Sequence, residues 1–370
     1  MLRKAWFLPL FLLAASCPGG RPEPTALADL SRTLSGPGGY FDTDNLISNE
    51  RSYLHAVSDL RAADVRGGVY LGVGPDQNFS YIAEIEPELA IIVDIRRDNV
   101  LQHLIYKALF HEARNRLEYL ALLTGRPVPD DVAAWSGAEL ADLLVRLDSL
   151  RVDDASRATA RRRVREAIEG FGFALSAGER ETIDRFHGAF MEAGLELRFR
   201  SHGRAPQFYY PTYRELLTEV DREGRPASYV ADEERWRRVR RLQLADRVIP
   251  VVGDLGGDVA LPAIAEHLRA RNLEVTAFYT SNVEFYLVGD RVFGAFVRNL
   301  ASLPLAPGSV LIKSFFRGFR AAHPLQVPGY YSTQLVQDAN ALVRGWETGR
   351  YRSYMDVVTR DLVGLATRVP

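Results

Sequence analysis

Cysteine is almost absent from this 370-residue chain, which contains only Cys17. A single cysteine excludes an internal disulfide, so an apolar core must hold the fold together even in an oxidising compartment. The composition allows such a core, because 47% of the residues are hydrophobic and 25% are charged.

An excess of one charge is also missing, since 46 basic and 47 acidic residues give a formal net charge of −1. This balance gives the chain no general attraction for nucleic acid, and we expect no nucleic-acid partner. Two arginine-rich stretches, 161–165 and 235–241, are interpreted as solvated helix faces.

Two common catalytic motifs are missing as well. His111-Glu112 falls in a helical pattern, but position 115 is asparagine, so the zinc-peptidase motif is incomplete. His103 and His111 lie about two helical turns apart, too far to share a metal without other ligands. The Gly-x-Ser-x-Gly elbow of serine hydrolases does not occur either. We therefore predict no metal site and no hydrolase of that type.

No segment reaches the roughly 20 apolar residues that a membrane-spanning helix needs. The first residues instead have the layout of a secretory signal, with Arg3 and Lys4 before an apolar run at 5–15. Ala14-Ala15-Ser16-Cys17 resembles the lipoprotein box of bacteria, in which the cysteine is acylated. We expect a signal peptide at 1–16 and a membrane anchor on Cys17. The protein would then belong to the bacterial cell envelope, either lipid-anchored or secreted. An ordinary secretory signal with an incidental cysteine is the alternative.

Glycine and proline are concentrated in residues 17–39, which predicts a flexible tether. Beyond it, five short apolar runs predict β-strands, and helical periodicity fills the gaps between them. The predicted strands are 67–74, 89–94, 247–252, 273–279 and 309–316. The predicted helices include 53–60, 78–86, 98–117, 260–271, 293–300 and 333–346. This alternation favours an α/β fold with a doubly wound, mostly parallel Rossmann-like sheet.

Residues 124–246 contain no convincing strand pattern. They carry the spacing of helix capping boxes at three places, namely Ser136 with Glu139, Ser176 with Glu179, and Thr212 with Glu215. We expect a large helical insertion at 124–246 inside a single domain of residues 40–370.

Glycines and carboxylates follow three of the predicted strands. Gly72 and Gly74 end the first, Asp94 ends the second 22 residues after Gly72, and Asp254 follows the third. Ligands of open parallel sheets bind outside the carboxyl ends of the strands, where glycine lets the backbone approach closely. An acid about 20 residues after such a loop contacts ribose hydroxyls. The pattern therefore indicates a nucleotide-type site.

Val69-Tyr70-Leu71-Gly72-Val73-Gly74 resembles the first motif of the class I S-adenosylmethionine-dependent methyltransferases. The resemblance covers about 67–123 and 247–316. It implies S-adenosylmethionine as the cofactor, with the glycines beneath its methionine part. It also implies that Asp94 holds the ribose and that Asp254 lies beside adenine.

The resemblance adds further candidates. Gln77 and Asn78, at the start of the following helix, are grouped with the cofactor-binding residues. Asn282 and Glu284 are the candidate catalytic residues, because Ser281-Asn282 stands where related enzymes carry a motif that faces the substrate. This chain departs from the family in lacking a proline pair after Asn282 and an antiparallel strand pair after residue 316. Gln77 replaces the third glycine of a dinucleotide fingerprint, so an NAD site fits less well.

The arrangement also resembles an uncharacterised group of bacterial lipoproteins with methyltransferase-like cores. We expect an envelope protein with a methyltransferase-like domain of unknown acceptor. The alternative is a non-enzymatic binding module that holds a small molecule or a partner protein, because S-adenosylmethionine is made in the cytoplasm. Each candidate residue also has a structural interpretation. The glycines and Asp254 suit turns, Asp94 and Asn282 suit helix caps, and Glu284 suits a solvent-facing helix position.

Overall fold

The computed structural model describes residues 27–202, 205–317 and 323–364. The described strands are β1 (Val69–Gly72), β2 (Leu89–Asp94), β3 (Val248–Val252), β4 (Val275–Ser281), β5 (Leu305–Phe316) and β6 (Ser332–Asp338). They form one sheet in the order β3-β2-β1-β4-β5-β6. Strands β1 to β5 are parallel and β6 is antiparallel to β5. The prediction of a mostly parallel α/β sheet is confirmed.

Helices cover the sheet and build the insertion. They are α1 (Leu27–Leu34), α2 (His55–Ala62), α3 (Gln77–Ile85), α4 (Arg97–Glu112), α5 (Arg116–Leu123), α6 (Leu140–Ser149), α7 (Asp154–Glu169), α8 (Ala177–Ala193), α9 (Tyr213–Leu217), α10 (Glu233–Leu244), α11 (Ala260–Arg269), α12 (Val283–Gly289), α13 (Phe293–Ser302), α14 (Ala339–Glu347) and α15 (Tyr354–Thr359). Within the described part of the chain, no helix is both long and apolar enough to cross a membrane.

The strand order reverses at β1. The chain runs outward from β1 through β2 to β3, and then returns to place β4 on the other side of β1. Every residue of β1 and β3 is buried, which explains why these strands read as continuous apolar runs. A crevice forms at such a reversal, so the carboxyl ends of β1 and β4 are where a ligand is expected.

Strand β6 corrects the predicted helix 333–346, because residues 332–338 are a strand and only α14 is helical. The strand is hard to recognise because its buried side chains include two glutamines. Gln334 Oε1 accepts a hydrogen bond from Ser314 Oγ at 3.0 Å, and Gln337 Oε1 accepts one from Lys313 Nζ at 2.5 Å. Polar pairing with β5 thus replaces the apolar pattern of the other strands.

Helix α1 corrects the predicted tether. Leu27 and Leu34 are buried, and Ser31 Oγ donates to the Pro250 carbonyl of β3 at 2.5 Å. Gly36 N–H donates to the Val252 carbonyl at 2.9 Å. Residues 27–36 are therefore packed beside β3, while Cys17 and the signal segment lie outside the described residues.

The insertion is helical, as predicted. Its described residues contain α6 to α10 and isolated bridges but no strand. The capping boxes at Ser176 and Thr212 are confirmed. The one at Ser136 is wrong, because α6 begins at Leu140 without a side-chain cap.

The arginines of α10 are not all solvated. The Arg235 side chain is 10% exposed and donates to Glu84 of α3. Arg237 and Arg241 are more than half exposed and pair with glutamates of their own helix. The predicted solvated face is therefore correct for these two and wrong for Arg235, which joins the insertion to the core.

Candidate functional site

A cavity of about 260 Å³ lies at the carboxyl ends of β1 to β4. Its lining includes Gly74 after β1, Asp94 at the end of β2, Asp254 after β3 and Asn282 after β4. The structure thus brings residues from four separate turns, together with Gln77, to one edge of the sheet. The cavity volume is just below the roughly 300–1,000 Å³ typical of small-molecule sites.

Gly72 and Asn78 do not line this cavity and instead support its loop. A Cβ on Gly72 would lie 2.0 Å from Asn78 Oδ1, so only glycine leaves room for the asparagine. The Asn78 amide donates to the carbonyls of Val73 at 2.9 Å and Pro75 at 2.6 Å, and Oδ1 accepts from Tyr70. These bonds hold the loop after β1 in its sharp turn.

His103 fixes the same loop from α4. Its Nε2 lies 2.9 Å from the Gly74 carbonyl, and burial lowers the pKa of His103 from 6.5 to about 4. The ring is therefore neutral at physiological pH, with the Nε2 proton donated to the carbonyl. Gly74 itself has a φ of +78°, a conformation that favours glycine.

Gln77 contributes an unused acceptor. Its side chain is buried and lines the cavity, and its Nε2 donates to Tyr279 Oη at 3.3 Å. Its Oε1 is buried and has no hydrogen-bond partner in the described part of the chain. A buried acceptor left unpaired costs about 1–3 kcal/mol, so a ligand N–H or O–H at this position would recover that cost.

Asp94 is held by the arginine two residues after it. Its carboxylate accepts from Arg96 N and Nε at Oδ1 and from Nη2 at Oδ2, at 2.9, 3.1 and 3.1 Å. Arg96 Nη1 also donates to the carbonyls of Thr43 and Asp44, which ties the segment 40–50 to the cavity. A carboxylate has about four acceptor positions, so Asp94 keeps one for a ligand.

Asp254 and Asn282 lie at the cavity rim. Asp254 is exposed and accepts the Gly256 N–H at 2.8 Å, as a turn residue does. Asn282 occupies the N-cap position of α12 but makes no capping hydrogen bond. Its Oδ1 accepts from Ser281 Oγ at 3.3 Å, so its amide nitrogen is the part that remains for other contacts.

Glu284 lies away from the cavity. It is 2% exposed, accepts from Thr280 Oγ1 at 2.6 Å and pairs with Lys313 Nζ at 3.5 Å. The expected solvent-facing position is wrong, and the candidate catalytic role is not supported by its location. Its carboxylate instead balances a lysine buried under β6.

Glu50 is the carboxylate that the sequence did not reveal. It is 1% exposed, lines the cavity and accepts from Tyr279 Oη at 2.7 Å and Gln334 Nε2 at 3.2 Å, as well as from Ser281 Oγ. Burial raises the pKa of Glu50 above 4.5, although these hydrogen bonds lower it. Ser281 has a φ of +57°, a strained conformation of the kind that clusters at functional sites.

A family model described as "Domain of unknown function (DUF7790)" matches residues 46–170 and 176–360, well over half of the chain. The chain belongs to the DUF7790 family. The match includes most of the helical insertion, so that insertion is part of the DUF7790 unit. A comparison with curated proteins gives no match.

Negative charge dominates the cavity of this DUF7790 protein. Four carboxyl groups, from Glu50, Asp94, Asp254 and Asp290, line it with one guanidinium, from Arg96. Apolar side chains complete the walls, among them Phe41, Val73, Ile95, Leu255, Tyr286 and Val292. The lining favours a ligand that combines positive charge with a flat apolar part. In residues 27–202, 205–317 and 323–364, no group of three His, Cys, Asp or Glu is placed to hold a metal.

Proposed function

We propose that the cavity binds S-adenosylmethionine, and that the protein is a methyltransferase-like protein of the cell envelope whose acceptor is unknown. The unpaired Oε1 of Gln77, in a negatively lined cavity where the strand order reverses, is the observation that carries this proposal. The antiparallel strand β6 beside β5 adds support, because an antiparallel strand pair normally completes the sheet in the methyltransferase family and β6 supplies one strand of such a pair.

The residues present fit such a cofactor. Gln77 Oε1 and the nearby Glu50 carboxylate offer acceptors to an ammonium group, and the remaining acceptor position of Asp94 suits a ribose hydroxyl. Ile95 and Leu255 provide apolar surface for a flat base. When bound, S-adenosylmethionine supplies a methyl group on a positively charged sulfur. Glu50, whose pKa is raised by burial, is the group that can take up a proton in the cavity.

One observation favours the non-enzymatic alternative. Arg96 occupies most of the acceptor positions of Asp94, which leaves a ribose with one bond where a free carboxylate would offer more. Export of the protein, proposed from the signal segment and Cys17, would also separate it from the cytoplasmic supply of cofactor. A binding module on the same scaffold would need neither a free Asp94 carboxylate nor a supply of S-adenosylmethionine.

Calorimetry of the purified chain with S-adenosylmethionine and S-adenosylhomocysteine distinguishes the two. We expect micromolar binding that weakens about tenfold in Gln77→Met, which removes the acceptor but keeps the volume. Gln207→Met, at an exposed position outside the cavity, should bind like the parent chain. If neither ligand shows detectable binding, the cofactor proposal is overturned and the binding module remains.

A further inference from the structure

A second cavity of about 350 Å³ lies beside the first, and Asn49 lines both. Glu50 lines the first cavity and Arg51 lines the second, so the two cavities adjoin at the segment 49–51. The segment 49–51, the helical insertion and the adjoining ends of β5 and β6 all contribute to the second cavity.

The second cavity carries the opposite charge to the first. Three arginines line it, Arg51, Arg198 and Arg317, against one carboxylate, Glu215. Glu215 is already engaged, because it accepts from Thr212 N in the capping box of α9 and lies 3.5 Å from Arg51 Nη1. Arg51 also lies 3.2 Å from Glu219 Oε2, so the positive charge of the cavity comes from Arg198 and Arg317.

Two of these arginines, Arg198 and Arg317, form no salt bridge within the described residues. The pKa of Glu215 is lowered by its hydrogen bond from the Thr212 N–H and, to a smaller extent, by the charges of Arg51 and Arg198, so Arg198 has a carboxylate in its vicinity. Arg198 Nη1 donates to the Tyr210 carbonyl at 2.9 Å, and the Arg317 backbone N–H donates to the Tyr331 carbonyl at 3.0 Å. Guanidinium groups around one cavity suit a carboxylate or phosphate, which accept charge-assisted hydrogen bonds.

Aromatic rings form the other part of the lining. Tyr209 and Tyr331 stack with ring centroids 3.6 Å apart and planes 8° apart. Phe208, which also lines the cavity, is 93% exposed. Tyr330 completes this aromatic surface. Such surfaces gain free energy by packing against a flat ring.

We propose that the second cavity binds a small anion that carries a flat ring. Arg198 and Arg317 hold its carboxylate or phosphate, and the ring packs against the tyrosines. Its role as the methyl-acceptor site rests on the proposed function. A nucleophilic atom of the anion would have to reach the sulfonium methyl where the two cavities adjoin at Asn49, forming its bond to carbon as the carbon–sulfur bond breaks and S-adenosylhomocysteine leaves.

The binding claim is tested with 2-naphthoate and its neutral isostere 2-naphthamide, followed by tyrosine fluorescence and calorimetry on the purified chain without cofactor. We expect saturable binding of 2-naphthoate, with the amide at least about tenfold weaker. Binding should also fall at least about tenfold in the double variant Arg198→Gln/Arg317→Gln. The matched control Arg162→Gln/Arg237→Gln removes the same charge from exposed helix positions and should bind like the parent.

Three outcomes would overturn the proposal. They are equal binding of the amide, an unchanged affinity in the double variant that keeps its melting temperature, and no binding of either 2-naphthoate or 2-naphthyl phosphate up to about 10 mM.

The same measurements distinguish a failure of the anion site from a failure of the proposed function. If S-adenosylhomocysteine does not bind but 2-naphthoate binding depends on the arginines, the anion site stands and only its role as acceptor site is lost. If both bind, a changed 2-naphthoate affinity in the presence of S-adenosylhomocysteine supports the acceptor role, and an unchanged affinity overturns it.

Discussion

Asp76 is expected to make the stability of this protein depend on pH. It lies in the loop after β1, 3% exposed, where it accepts hydrogen bonds from Tyr213 Oη at 2.6 Å and Tyr229 Oη at 3.1 Å. Burial raises the pKa of Asp76 from 3.8 to about 6, and the two tyrosines only partly oppose this. The carboxyl joins the glycine loop to the helical insertion.

The direction and size of the effect follow from this pKa. The folded chain holds the proton more tightly than the unfolded chain, whose pKa is near 3.8. The stability that the proton contributes is therefore complete below about pH 3.8 and is lost as the pH rises through about 6. A difference of about 2 pKa units corresponds to about 3 kcal/mol. Asp76→Asn keeps an uncharged acceptor at every pH and should avoid this loss.

Urea unfolding of the parent chain and Asp76→Asn between about pH 4 and pH 8 tests the reasoning. The two free energies of unfolding should be similar near pH 4, and that of the variant should be higher by about 3 kcal/mol above pH 7. Exposed Asp130→Asn is the control and should show no such divergence. A constant difference across the range would refute the assignment.

Three further outcomes are expected. Gly72→Ala should lower the free energy of unfolding by about 1–3 kcal/mol, because the added Cβ would lie 2.0 Å from Asn78 Oδ1. Urea unfolding measures this change. Gly137→Ala is the control, since its Cβ would meet nothing within 4 Å. Arg96→Met should cost about 3–5 kcal/mol, since it leaves the carboxylate of Asp94 unpaired and releases the segment 40–50. Limited proteolysis should then cut within 40–50 sooner than in the exposed-site variant Arg66→Met, and equal rates would count against the anchoring role. Mass spectrometry of the native protein should find an acylated Cys17 at its start, whereas an unmodified Cys17 or a start at Met1 would contradict the anchor.

Much of the sheet could be predicted from sequence for a physical reason. Strands β1, β2 and β3 belong to a parallel sheet covered on both faces, so each is a short, continuous apolar run. Strand β6 could not be recognised, because buried Gln334 and Gln337 find their partners on β5, far from any local signal. Helix α1 could not be recognised either, because the glycines around it predicted a tether. Its residues Leu27 and Leu34 are nevertheless buried, and Ser31 ties the helix to β3.

The residues of the candidate site likewise include some that the sequence could predict and some that it could not. Gly74, Asp94 and Asp254 follow strands, and parallel topology places such positions on one edge of the sheet. Glu50 follows no strand, and its hydrogen-bond partners Tyr279 and Gln334 lie 229 and 284 residues away in sequence. The pairing of Arg96 with Asp94 depends on the side-chain direction after β2, which no spacing rule specifies.

The most direct test of the central claim is a crystal structure of the chain grown with S-adenosylhomocysteine. The proposed function predicts the ligand between Gly74 and Asp254, with a donor group on Gln77 Oε1 and a hydroxyl on Asp94. A ligand bound elsewhere, or none in this cavity at saturating concentration, would contradict it.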